Sequence, residues 1–120
     1  MPTKRPLLRL RDIVANGEAV TGYTAGMTFE DYPRHQLTKD ASERCLSRIS
    51  EAAVKRGSFA EEHFADHNWR GIRDLGNLLR HDYPDVLDAI VWKIITTDLP
   101  PLLVELKAFL AQYPEDQEAP

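Results

Sequence analysis

Apolar residues in this chain recur every three or four positions from near the N-terminus to about residue 110, and nowhere do they alternate over a useful length. That spacing is the period of a helix with one buried stripe, and it leaves little room for a sheet. Leu7, Leu10, Ile13, Val14, Gly17 and Val20 mark the first stripe, which stops near Gly26. Thr28 followed by Asp31 resembles a capping box opening a short turn, and Pro33 interrupts soon after. A second long helix is expected from Thr38 or Asp40, with Ala41, Cys45, Leu46, Ile49, Ala52 and Ala53 on its stripe. Lys55-Arg56-Gly57 closes it with cations on the last carbonyls and a glycine for the cap.

Ser58 with Glu61 repeats the capping-box pattern for a short helix carrying Phe59 and Phe64. Asn68 can cap the next helix, whose apolar members are Trp69, Ile72, Leu75, Leu78 and Leu79. Pro84 bars its extension, because the residue before a proline is pushed out of the α region. Asp85 and Asp88 open a further helix through Val86, Ile90, Val91 and Ile94. Asp98 then caps a last helix with Pro100 or Pro101 at its first position, or else the prolines kink one long helix. Leu102, Leu103, Leu106, Phe109 and Leu110 complete the stripe. The expected fold is an all-α, up-and-down bundle of four main helices plus short ones.

With 120 residues, the chain can bury one modest core. One domain over residues 1–112 is expected, followed by an acidic, flexible tail over 113–120 that holds Glu115, Asp116 and Glu118. Apolar stretches of only a few residues exclude a membrane-spanning helix. The basic start, MPTKRPLLRLRD, lacks the apolar run and cleavage site of a secretory signal. Cys45 is alone, so no intrachain disulfide can form, and a cytoplasmic setting is expected. The net charge of −4 argues against a general nucleic-acid binder. Lys4, Arg5, Arg9 and Arg11 crowd one end, however, and leave a local positive groove open.

Residues 76–85, GNLLRHDYPD, place an asparagine, an arginine, a histidine and a tyrosine where a helix is about to end. In one reading, Arg80 and a protonated His81 complement the helix dipole, and Tyr83 is a half-buried aromatic. In the other, the group performs metal-free RNA cleavage. An imidazole titrates near neutrality and can take a proton from a ribose 2′-hydroxyl or return one to the leaving 5′-oxygen. A guanidinium holds phosphate oxygens by a two-pronged contact and stabilises the charge that builds on them. DNA, lacking the 2′-hydroxyl, would not be cut.

Four segments, LRLRDIVANGEAVTGYTAGMTFEDY, SERCLSRISEAAVKRG, NWRGIRDLGNLLRHDYPDV and IVWKIITTDLPPLL, resemble in order and spacing the HepT-like ribonuclease toxins of the HEPN superfamily. The likeness covers about residues 6 to 110, and the chain is identified as a member of that family. The family's motif is Arg-Asn, three residues, His, one residue, Tyr. Asn77, His81 and Tyr83 match it, while Gly76 stands where the arginine is expected. Arg80, beside His81, and Arg73, about one turn before Gly76, are the candidate replacements. The resemblance implies the toxin of a type VII-like toxin–antitoxin system, acting as a metal-independent RNA endonuclease on tRNA or mRNA. It implies a homodimer whose two motifs face one cleft. It also implies a minimal nucleotidyltransferase antitoxin that silences the nuclease by placing AMP on Tyr83. Because of Gly76, a second reading stands beside this one: an inactive module that dimerises and holds a nucleotidyltransferase, a nucleotide or RNA.

Other features carry less. His63 and His67, four apart, want a third protein ligand before they could bind zinc, so no metal and no cofactor are expected. Trp69 and Trp92 read as core or interface anchors, and Cys45, on the apolar stripe, as a small hydrophobe. TAGMT lacks the glycine spacing and lysine of a phosphate-binding loop.

Overall fold

The computed structural model describes residues 6–56, 58–80 and 84–113. Among the described residues every regular element is helical. These are α1 (Pro6–Tyr23), α2 (Gln36–Arg56), α3 (Ser58–His63), α4 (Trp69–Leu78), α5 (Pro84–Lys93) and α6 (Leu99–Leu110), with a 3-10 turn at Tyr32–Arg34. A π-helical turn, Ile94–Asp98, joins α5 to α6 so that they run as one interrupted rod. Four rods and the short α3 make the expected all-α bundle. No described helix is long and apolar enough to cross a membrane.

The stripes read from the spacing are the faces that meet. Leu7, Leu10 and Ile13 of α1, Leu46 and Ile49 of α2, and Ile72 and Leu75 of α4 are buried together. They join Ile94, Ile95, Leu99, Leu102 and Leu106 of the last rod. Each such side chain contributes about 1.5–3 kcal/mol when removed from water. Trp69 is a core anchor, its indole N–H donating to the Phe64 carbonyl at 2.7 Å. Cys45 lies inside the same core. α1 and α6 approach closely at Gly17, where a Cβ would sit 2.6 Å from Leu103 Cδ2. Beside that seam, Lys107 Nζ donates to Glu18 Oε2 at 2.7 Å.

The connections follow their local chemistry. Gly26, at φ 79°, turns the chain after α1 in the left-handed region that glycine tolerates. Thr28 N–H donates to Asp31 Oδ2 at 3.0 Å and Asp31 N–H to Thr28 Oγ1 at 3.2 Å, the reciprocal pair of a capping box. The Thr28 N–H, and with it the Thr28 hydroxyl, holds the Asp31 carboxyl below its ordinary range. α2 starts at Gln36, two residues ahead of Thr38. The reason is His35, whose Nδ1 accepts from Thr38 N–H at 3.4 Å and lies 2.8 Å from Thr38 Oγ1. The imidazole takes a capping role usually filled by Ser, Thr, Asp or Asn. At α4, Asn68 Oδ1 accepts from Gly71 N–H at 3.1 Å, as the spacing predicts.

The second reading of the proline pair is the one that holds. Leu99 N–H donates to the Ile94 carbonyl five residues back, and Asp98 makes no side-chain cap bond. A proline ring clashes with the carbonyl four residues before it. The widened turn relieves Pro100 and Pro101 of that clash. Asp98 instead accepts from Lys93 Nζ at 3.0 and 3.1 Å and from Asn68 Nδ2 at 2.9 Å.

α5 is pinned to α2 by a buried ion pair. Lys39 Nζ lies 3.1 and 3.2 Å from the two oxygens of Asp88, which is only 4% exposed. Tyr32 packs near it, fully buried, with its ring 5.4 Å from that of Trp92. Burial pushes the Tyr32 phenol well above its usual range and raises the half-buried Glu43 carboxyl.

Candidate active site

α4 lies along α2, and the two helices come close where neither carries a large side chain. Ser50 Oγ accepts from Gly76 N–H at 3.1 Å and donates to the Arg73 carbonyl at 2.9 Å. A Cβ at position 76 would lie 2.9 Å from that oxygen. The serine hydroxyl thus borders the space in which the family's arginine would begin.

Over this contact opens a cleft of about 360 Å³. α2 lines it with Ser47, Ser50, Glu51 and Val54; Arg73, Gly76, Asn77 and Arg80 line the other side. Arg73, Asn77 and Arg80, the three described candidates, therefore share one concavity. The amphipathic period explains why: Ile72 and Leu75 turn into the core, so positions 73, 76, 77 and 80 face the groove beside α2. α4 ends at Leu78, and a turn follows in which Arg80 N–H donates to the Asn77 carbonyl at 3.1 Å. His81 and Tyr83 lie outside the described residues, as does Gly57. In the chain His81 directly follows Arg80.

The two arginines are held differently. Arg80 Nη1 donates to Asn77 Oδ1 at 2.9 Å, and both side chains are exposed. That bond orients the guanidinium by a neutral partner, and no carboxylate among the described residues pairs with it. It also leaves the Asn77 amide nitrogen as a donor, since among the described residues only the oxygen is used. Arg73 Nη1 is ion-paired with Glu61 Oε1 of α3, so its charge is partly neutralised at rest. An amide and two guanidiniums in one open cleft suit recognition of a phosphodiester.

Several lining residues escaped the sequence reading. Ser50 falls four residues after Leu46, in phase with the α2 stripe, and is buried. A small polar residue on an apolar face was the available signal. Its pairing with Gly76 is tertiary and has no sequence signature. Glu61, read only as part of a capping box, turns out to hold Arg73. The histidines read as weak metal candidates are otherwise engaged. His67 Nε2 is paired with Glu105, and His63 Nδ1–H donates to the Phe59 carbonyl at 2.9 Å. Among the described residues no group of three His, Cys, Asp or Glu side chains could hold a metal ion.

Comparison with known proteins gives this geometry its context. A family model described as ribonuclease HepT-like matches residues 13–109. A provisionally named RNase of Methanocaldococcus jannaschii is 25% identical over 118 residues, 98% of each chain. A second from that organism is 26% identical over 98 residues, 82% of this chain and 90% of its own. A third, from Caldanaerobacter subterraneus subsp. tengcongensis, is 28% identical over 110 residues, 92% of this chain and 96% of its own. No solved structure matches the chain significantly. The family model spans every described residue of the cleft, and the chain belongs to the HepT-like ribonuclease family.

Proposed function

We propose that the protein is a metal-independent RNA endonuclease whose centre is the α2–α4 cleft. The observation that carries this reading is the convergence of Arg73, Asn77 and Arg80 on one concavity, immediately before His81 in the chain. His81 takes the proton from the ribose 2′-hydroxyl, whose oxygen attacks the adjacent phosphorus. The 5′-oxygen of the next nucleotide leaves and takes up a proton, giving a 2′,3′-cyclic phosphate. Arg80 stabilises the developing negative oxygens, and Arg73 joins once the phosphate displaces Glu61. Asn77 fixes Arg80 through its carbonyl and offers its N–H to the phosphate.

In this reading the protein is a toxin of a type VII-like toxin–antitoxin pair in the cytoplasm, acting as a homodimer on tRNA or mRNA. A minimal nucleotidyltransferase silences it: the Tyr83 phenol oxygen attacks the α-phosphorus of ATP, pyrophosphate leaves, and AMP remains beside His81. The attached phosphodiester then repels and displaces the RNA backbone. The inactive binding module is the second reading, favoured by the Ser50 contact that closes the usual arginine position.

Purified protein incubated with tRNA and mRNA in EDTA should cleave at micromolar concentration. His81→Ala should lower the rate by about 100-fold or more. Arg80→Ala should lower it by about 100-fold, as loss of one oxyanion donor does. Absence of cleavage by the wild-type chain would leave the binding module. Mass spectrometry after incubation with ATP and the cognate nucleotidyltransferase should find AMP on Tyr83 and none on Tyr83→Phe.

A further inference from the structure

The cleft does not stand by itself. A second hollow of about 290 Å³ is lined by Glu61, His67, Asn68, Trp69, Arg70 and Arg73, and shares Arg73 with it. A third, of about 240 Å³ between α1 and α2, is lined by Arg9, Asp12, Asn16, Arg48 and Glu51, and shares Glu51 with it. Arg73 and Glu51 are thus the two sills between three consecutive depressions. Each depression carries a guanidinium besides the shared Arg73: Arg70 in the first, Arg80 in the centre, Arg48 and Arg9 in the last. Arg70 and Arg48 are exposed. Arg70 Nε lies a loose 3.9 Å from Asp74, and Arg9 Nη1 3.6 Å from Asp12. Arg9 Nε is buried without a hydrogen-bond partner among the described residues. In a chain of net charge −4, five arginines along one furrow are a local departure from the whole.

We propose that this furrow is the track of a single-stranded RNA, which rests on the ribonuclease reading of the central cleft. The scissile phosphate occupies the central hollow, and phosphates on either side of it meet Arg70 at one end and Arg48 with Arg9 at the other. Single guanidiniums at intervals suit a backbone with one charge per residue. The three hollows are too small for a duplex to enter. They present five guanidiniums against the rings of His67 and the buried Trp69, so phosphates rather than bases carry the affinity. Binding is therefore strongly salt-dependent and weakly sequence-dependent.

The probe is a short fluorescently labelled RNA, 2′-O-methylated throughout so that it cannot be cut, titrated by anisotropy across a range of salt. Arg48→Ala and Arg70→Ala should each weaken binding by about three- to tenfold and lower the logarithmic salt slope by about 0.7. Arg48→Lys should retain most of the slope. Arg34→Ala, on the 3-10 turn away from the furrow, serves as control and should match wild type. Affinity and slope in Arg48→Ala and Arg70→Ala equal to those of the control would overturn the track. So would duplex RNA or polyglutamate competing as well as single strands. Cleavage of a dinucleotide, which spans the central hollow alone, reports on the nuclease reading separately. A chain that cleaves the dinucleotide yet binds the long RNA without Arg48 or Arg70 refutes the track alone. RNA binding that weakens with salt and with loss of Arg48 or Arg70, without any cleavage, refutes the nuclease reading and leaves the furrow as a binding track with no scissile phosphate.

Discussion

Two glycine seams hold this bundle, and they differ in what fills the space that a side chain would take. At Gly17 the neighbour is Leu103, whose Cδ2 would be 2.6 Å from a Cβ. At Gly76 it is Ser50, whose hydroxyl is 2.9 Å away and bonded to the α4 backbone. The first seam is apolar and buried between α1 and α6. The second borders an open cleft. An apolar seam contributes stability through close packing, whereas a polar seam trades packing for hydrogen-bonding groups beside solvent. The same small residue thus serves cohesion in one place and a site in the other.

The largest effect is expected where the apolar seam is broken. Gly17→Val should lower stability by about 1–3 kcal/mol, the usual range for overpacking, measured by urea unfolding. Leu103→Ala in the same chain should recover part of that loss, and a double-mutant cycle should show coupling. Additive losses would mean that the two residues do not meet.

Gly76→Arg should cost less, about 1–2 kcal/mol, because only a hydroxyl has to move and a helical glycine is itself unfavourable by about 1 kcal/mol. Ser50→Ala makes room, so Ser50→Ala/Gly76→Arg should be more stable than Gly76→Arg and should cleave RNA faster than wild type. Faster cleavage by neither variant would show that Arg80 and Arg73 already supply what the family's arginine does.

Glu61→Gln removes the clasp on Arg73. Affinity for RNA should rise about two- to fivefold, and stability should change by less than about 1 kcal/mol, since the pair is partly exposed. Unchanged affinity would mean that Arg73 takes no part in binding. The smallest effect concerns Glu43, whose carboxyl is raised chiefly by burial. A raised carboxyl binds protons more readily in the folded chain, so its charged form works against folding above its folded value. That penalty fades as pH falls through the folded value towards the unfolded one. Glu43→Gln should therefore raise the melting temperature slightly near neutrality and leave it unchanged in acid.

How much could be read beforehand differs between the same two kinds of region. The apolar stripe of α1, the Thr28–Asp31 box and the Asn68 cap follow from local spacing, and each is present. α2 begins two residues before Thr38 because an imidazole at His35 serves as its cap, a role that spacing does not signal. The π-turn leaves the three-and-four rhythm of Ile95, Leu99, Leu102 and Leu106 unbroken, so spacing could not separate a kinked rod from two helices. Asn77, Arg80 and Arg73, to which the motif and its neighbourhood point, line the cleft. Ser50 and Glu61 carry no such signal, because they reach α4 from other helices, 26 residues before Gly76 and 12 before Arg73.

The Glu61–Arg73 pair also couples two parts of the molecule. α3 is only six residues long, too short to hold its shape without anchors. Any anion that captures Arg73 returns the Glu61 carboxylate to water and removes one of those anchors. By reciprocity, whatever loosens α3 makes that guanidinium easier to claim. Amide protons of the short helix should therefore exchange faster with the ligand bound, a softening on occupancy where most sites stiffen.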